Sequence, residues 1–141
     1  MTELLELRAV VEAAPDTVAG LLLDVRPGGR SPIATSGTIE ETDTGDDFVV
    51  VRDGSRLTVQ IDRAARAVSQ QGEWWYRGVT SVEPDPRGCQ LVHRIFNVAT
   101  GHGWAVRFVS RGPLLAAPAQ FATQVHQIAT ELDVPAWVLE T

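Results

Sequence analysis

The chain has one cysteine, Cys89, one tyrosine, Tyr76, and three histidines, His93, His102 and His126, so proton transfer and soft-ligand chemistry near neutral pH must draw on these. Imidazole is the side chain best matched to neutral pH, and His93 with Tyr76 is the pair suited to general acid–base work. The histidines are scattered, with no His-Glu-x-x-His helix and no cysteine pair, so no metal site is expected. Nothing beside Cys89 in sequence would stabilise a thiolate, and it reads as an inert small hydrophobe. Gly101-His102-Gly103 approaches a dinucleotide fingerprint, but the third glycine and the second strand of a βαβ unit are missing. It reads as a glycine-permitted turn, and no cofactor is expected. The acidic run from Glu40 to Asp47 lacks the ligand spacing of a calcium loop and reads as a solvated hairpin.

Composition narrows the classes further. All 12 basic residues are arginine, as in proteins coded by GC-rich genomes, so no lysine Schiff base or P-loop lysine exists. A net charge of −6 speaks against a nucleic-acid groove, which needs clustered cations. A lone cysteine forms no intrachain disulfide and fits a reducing compartment. The N-terminal segment mixes acids with its leucines, unlike a secretory signal, and no apolar run approaches the roughly 18 residues of a membrane helix. The expected location is cytoplasmic. At 141 residues the chain suits one domain spanning 1–141, burying roughly 70% of its unfolded surface.

The elements that must position these groups follow from hydrophobic period. Residues 4–13 alternate as a strand, and Pro15 with Asp16 opens a helix to about Asp24, ended by Pro27 and the glycines after it. Strands follow at 38–42, 48–52, 56–62, 67–72, 74–83 and 90–98, separated by short turn-rich stretches such as Asp53-Gly54-Ser55. With the first, that makes seven. From Pro118 to Leu132 an apolar stripe of Phe121, Val125, Ile128, Ala129 and Leu132 marks a helix, with Pro118 expected in its first turn. Residues 101–113 suit either an extra turn of helix or a strand extension. The tail around Trp137 is apolar enough to dock.

Alternation then assigns faces. With Arg77 outward, Trp74 and Tyr76 point inward and Trp75 outward; with Gln90 and Arg94 outward, Cys89, Leu91, His93 and Ile95 point inward. Trp74, Tyr76, Phe121 and Val125 serve either as core or as cavity wall. His93 serves as a hydrogen-bonded core histidine, as a group that orients a ligand, or as an acid or base.

The segment Val11-Glu12-Ala13-Ala14-Pro15-Asp16-Thr17-Val18 with Leu22-Leu23-Asp24 resembles the strand, Ala-Pro turn and short helix ending in Asp of the START-like helix-grip (SRPBCC) superfamily, which includes polyketide cyclase or dehydrase-like proteins. Gly88-Cys89-Gln90-Leu91-Val92-His93 resembles its last strand after a Gly turn. The likeness spans nearly the whole chain, although Ala19 stands where many relatives carry an aromatic residue. It implies an α+β helix-grip fold: a seven-stranded antiparallel sheet wrapped around a C-terminal helix, with one short N-terminal helix after the first strand. It also implies an apolar cavity for a small hydrophobic ligand, lipid-like or polyketide-like. Trp74, Tyr76, Leu91, His93, Ile95, Phe121 and Val125 would line it. The alternatives are a cyclase, aromatase or dehydratase using His93 and Tyr76, and a protein-interaction module presenting Trp75 and Trp137. The expected partner is a small hydrophobic molecule, with no nucleic acid and no membrane insertion, and a homodimer is left open.

Overall fold

The first strand, β1 (Thr2–Val11), ends in a run of buried Ala9, Val10 and Val11, and the chain turns at once into helix α1 (Pro15–Leu22). Pro15 supplies a helical φ at a position whose N–H has no intrahelical acceptor, and Asp16 places a carboxylate at the positive end of the helix. At the other end the Ser31 hydroxyl donates to the orphan carbonyl of Leu22 at 2.5 Å and is buried in doing so. This computed structural model describes residues 2–34, 38–42, 45–52, 54–72 and 74–140. Of the stretches singled out in the sequence, Asp43 and Thr44 of the acidic run and Asp53 of the next turn lie outside these.

Strands β2 (Thr38–Glu41), β3 (Asp47–Arg52), β4 (Ser55–Asp62), β5 (Ala67–Gly72), β6 (Tyr76–Asp85) and β7 (Gly88–Asn97) follow as a meander. Short α2 (Val106–Val109) and long α3 (Arg111–Leu132) come next, and the chain closes on β8 (Ala136–Val138). All pairings are antiparallel, in the order β2-β3-β4-β5-β6-β7-β1-β8, so the first strand lies between the seventh and the last. Gly88 makes the β6–β7 turn possible: its φ of 134° and the close approach of its backbone to Val11 and Ala13 leave no room for a Cβ.

Opposed residues share a face, and the pairs Val82–Leu91, Thr80–His93 and Gly78–Ile95 put these side-chain positions on the concave side. On β1, Ala9 and Leu7 continue the same rows opposite Leu91 and His93. Helix α3 lies against this side, and Phe121, Val125 and Ile128 are buried in a core shared with α1, Ala9, Val11, Leu91 and Cys89. Asp133 ends the helix in the left-handed region (φ 53°), where the Val134 N–H reaches back to the Ala129 carbonyl at 3.1 Å. The fold is therefore α+β, an antiparallel sheet gripping a C-terminal helix.

Two expectations change in detail, and one left open is decided. The sheet has eight strands, because the apolar tail pairs with β1 through Trp137 opposite Val10. Helix α3 begins at Arg111, so Pro118 sits in its interior and not in its first turn. Pro118 is on the exposed side, where water can take the carbonyl that has lost its donor. Residues 103–109 resolve the ambiguous stretch as a 3-10 turn and a short helix.

Candidate functional site

The core divides in two. A large cluster lies beneath α1 and the C-terminal half of α3, and a small one gathers Trp75, Ile95, Val106 and Ala117. Between them lies a cavity of about 520 Å³, floored by Leu57, Gln70 and Gly72 of β4 and β5 and by His93 and Ile95 of β7. Trp75 and Tyr76 wall it where the chain enters β6. Helix α3 roofs it with Ala117, Gln120, Phe121, Gln124 and Gln127. Glutamines at i, i+4 and i+7 share a helix face, so the roof edge toward solvent is lined with amides, while the floor is apolar apart from Gln70 and His93.

His93 is the polar centre of this space. Its Nδ1 lies 2.8 Å from the Thr80 hydroxyl on the neighbouring strand, and its ring stacks on Phe121 with centroids 6.2 Å apart. Burial pushes its pKa down to about 4, so the ring is neutral at neutral pH. A neutral imidazole bonded through Nδ1 keeps Nε2 for a second hydrogen bond. Nε2 donates when the Thr80 hydroxyl donates to Nδ1, and accepts when Nδ1 carries the proton. Trp75 meets Tyr76 edge to face at 5.4 Å, fixing the two rings against each other.

Of the residues expected here, Tyr76, His93, Ile95 and Phe121 come together around the cavity. Leu91 and Val125 do not line it; both are buried in the main core, one step further along the same strand and helix faces. The two tryptophans are reversed. Trp74 is 44% exposed and Trp75 only 2%. The alternation that sets Trp74 inward requires a strand, but β6 starts at Tyr76 and the tryptophans sit in the turn before it, where a two-residue period does not apply. The same correction takes Trp75 out of the surface available to a protein partner, whereas Trp137 remains exposed on β8.

Sequence reasoning missed Trp75, the β4–β5 floor and the glutamines. Leu57 carried a signal, since it heads the clean alternation Leu57, Val59, Ile61, and so did the i, i+4, i+7 spacing of Gln120, Gln124 and Gln127. Cys89 is buried where expected, and desolvation raises its thiol to about 11, far from a reactive thiolate.

A second, larger cavity of about 660 Å³ lies between α1 and β3, lined by Ala19, Leu23, Arg26, Phe48 and Arg63. Its charged groups are already paired, Arg26 with Asp24 at 2.7 Å and Arg63 with Asp46 at 3.0 Å. Among the described residues it has one aromatic wall, Phe48, and its charged side chains are paired, so the α3 cavity is the better-built site. Among the described residues no three His, Cys, Asp or Glu side chains converge as a metal site would need, and no helix is long and apolar enough to cross a membrane.

No family model matches the chain, and no curated protein matches it. Among solved structures it is similar to the protein TTHA0849 from Thermus thermophilus, at 16% identity and a TM-score of 0.44, covering 89% of this chain and 92% of that one. It is also similar to Ara h 8.0201, at 15% identity and a TM-score of 0.41, covering 86% of this chain and 98% of that one.

Proposed function

We propose that the protein, as a START-like helix-grip domain, binds a small hydrophobic molecule carrying one polar group in the cavity between the sheet and α3. The observation that carries this reading is the cavity itself: about 520 Å³ lies within the range of roughly 300–1,000 Å³ typical of ligand sites. Its composition supports the same reading, since aromatic and aliphatic walls surround two neutral polar groups, the Gln70 amide and an imidazole already held by Thr80. An apolar ligand body would displace water from Trp75, Tyr76, Ile95 and Phe121. A hydroxyl or carbonyl on the ligand would meet His93 Nε2, and a more polar end would lie toward the glutamines.

Acid–base catalysis by His93 and Tyr76 is the weaker reading. General acid–base work favours a pKa near the operating pH, and burial takes His93 well below it. The test is titration of the purified chain with a lipophilic fluorescent probe such as N-phenyl-1-naphthylamine. Saturable uptake at micromolar concentration is expected, with roughly tenfold weaker binding when Ile95→Trp or, separately, Ala117→Phe fills the space. Absence of saturable uptake, or uptake indifferent to both substitutions in folded protein, would overturn the reading.

A further inference from the structure

The α2–α3 segment is apolar on two opposite sides. Inward, Val106, Ala117 and Phe121 are buried. Outward, Trp104, Phe108 and Leu115 follow one another at helical spacing and are 73%, 56% and 82% exposed. The backbone keeps them on one surface: Ser110, between α2 and α3, has helical angles, its N–H bonds the Val106 carbonyl at 2.8 Å, and its carbonyl accepts from Leu114 at 2.9 Å.

The charge of this surface differs from that of the rest of the chain. The protein carries a net −6, yet residues 86–130 contain no aspartate or glutamate. Eight of the other ten arginines sit in ion pairs, from Arg8 with Glu83 to Arg94 with Glu3, and Arg77 bonds the Gln71 amide. Arg107 and Arg111 have no carboxylate partner among the described residues, and Arg107 instead lies over the Phe108 ring at 5.0 Å. Exposed Trp, Phe and Leu flanked by unpaired arginine is the chemistry of a helix that lies in a lipid headgroup layer. The cations meet phosphates there while the apolar side chains reach the acyl boundary.

We propose that the outward face of α2 and the first turns of α3 docks on an anionic lipid surface through Trp104, Phe108 and Leu115, with Arg107 and Arg111 at the phosphates. Pro113 and Ala117, on the same stretch of helix, line the α3 cavity, so docking brings the cavity wall to the lipid surface. The docking needs nothing in the cavity and stands apart from the ligand-binding proposal.

The test is co-sedimentation of the full chain with vesicles of phosphatidylcholine and phosphatidylglycerol at about 3:1, beside vesicles of phosphatidylcholine alone, at low and high salt. Binding is expected to the anionic vesicles, weakened by salt. It should fall roughly tenfold for Leu115→Asp and for Phe108→Asp, and roughly 10- to 30-fold for Arg107→Gln with Arg111→Gln. All four positions are exposed, so thermal unfolding should stay unchanged and report that the variants fold. Failure of the wild-type chain to sediment with anionic vesicles, or equal binding to both vesicle types, would overturn the proposal. So would a dimer in light scattering that Leu115→Asp dissociates while vesicle binding is absent, because the stripe would then belong to a second copy.

Discussion

Along α3, the half from Val125 to Ile128 and the half from Ala117 to Phe121 face the same sheet and meet it differently. Under the C-terminal half the sheet offers Ala9, Val11, Leu91 and Cys89, and α1 adds its own leucines, so the space is filled. Under the N-terminal half the sheet offers glycine at two concave positions, Gly72 and Gly78, which the Leu57 and Tyr76 side chains cover, and a cavity remains between these and the helix. Gly78 matters most, because a Cβ there would come within 2.6 Å of the Tyr76 hydroxyl. The tyrosine ring lies along its own strand over Gly78. One helix thus serves as a core element and as the roof of a cavity.

The largest difference between the halves should appear on truncation. Leu91→Ala and Ile128→Ala, in the filled half, should each cost about 2–5 kcal/mol in urea unfolding. Ile95→Ala, already beside open space, should cost less than about 2 kcal/mol, since fewer neighbours lose a contact. Equal losses at the two places would show that the cavity collapses in solution. A middle-sized effect is expected at Gly78→Ala, which should drive the Tyr76 phenol toward the cavity. Probe affinity should fall about 3- to 10-fold while stability changes by no more than about 1 kcal/mol, strand propensity offsetting the displacement.

The smallest effect is in pH dependence. His93 ordinarily would titrate near 6.5 and is held at about 4 in the fold, so between these values the unfolded chain takes up a proton that the folded chain refuses. Its contribution to stability is complete above pH 6.5 and is lost as the pH falls toward 4. Thermal melting between pH 7.5 and 4 should show this decline, and His93→Gln should flatten that part of it relative to wild type. A variant that declines in parallel with wild type would mean that His93 is not desolvated in solution. The carboxylates elsewhere in the chain titrate alike in both proteins, so the difference between wild type and His93→Gln reports the imidazole.

The strands were legible because hairpins force short, regular spacing, and the inner row Leu91, His93, Ile95 followed from one outward arginine. Phe121 and Val125 were placed on the correct helix face, but period alone does not say how far along the helix the filled core ends. Nor does it say that Leu57 and Tyr76 lie over Gly72 and Gly78, which only the strands beside them reveal. Trp74 and Trp75 were misread because an alternation holds only where the backbone is extended. Pro118 misled for a related reason: a proline marks a helix start well only when the residues before it do not themselves continue a helix, and Arg111 to Ala117 do.

The placement of β1 has a consequence for how the chain is made. Its sheet neighbours are residues 88–97 on one side and 136–138 on the other, so β1 has no sheet partner until residues 88–97 have been made. The meander from β2 to β7 can assemble by local hairpins as it emerges, whereas Ala9, Val10 and Val11 must wait, apolar and unpaired. Closure of the sheet through β1 therefore comes after the meander has formed, and until then that apolar strand stays open to other pairings.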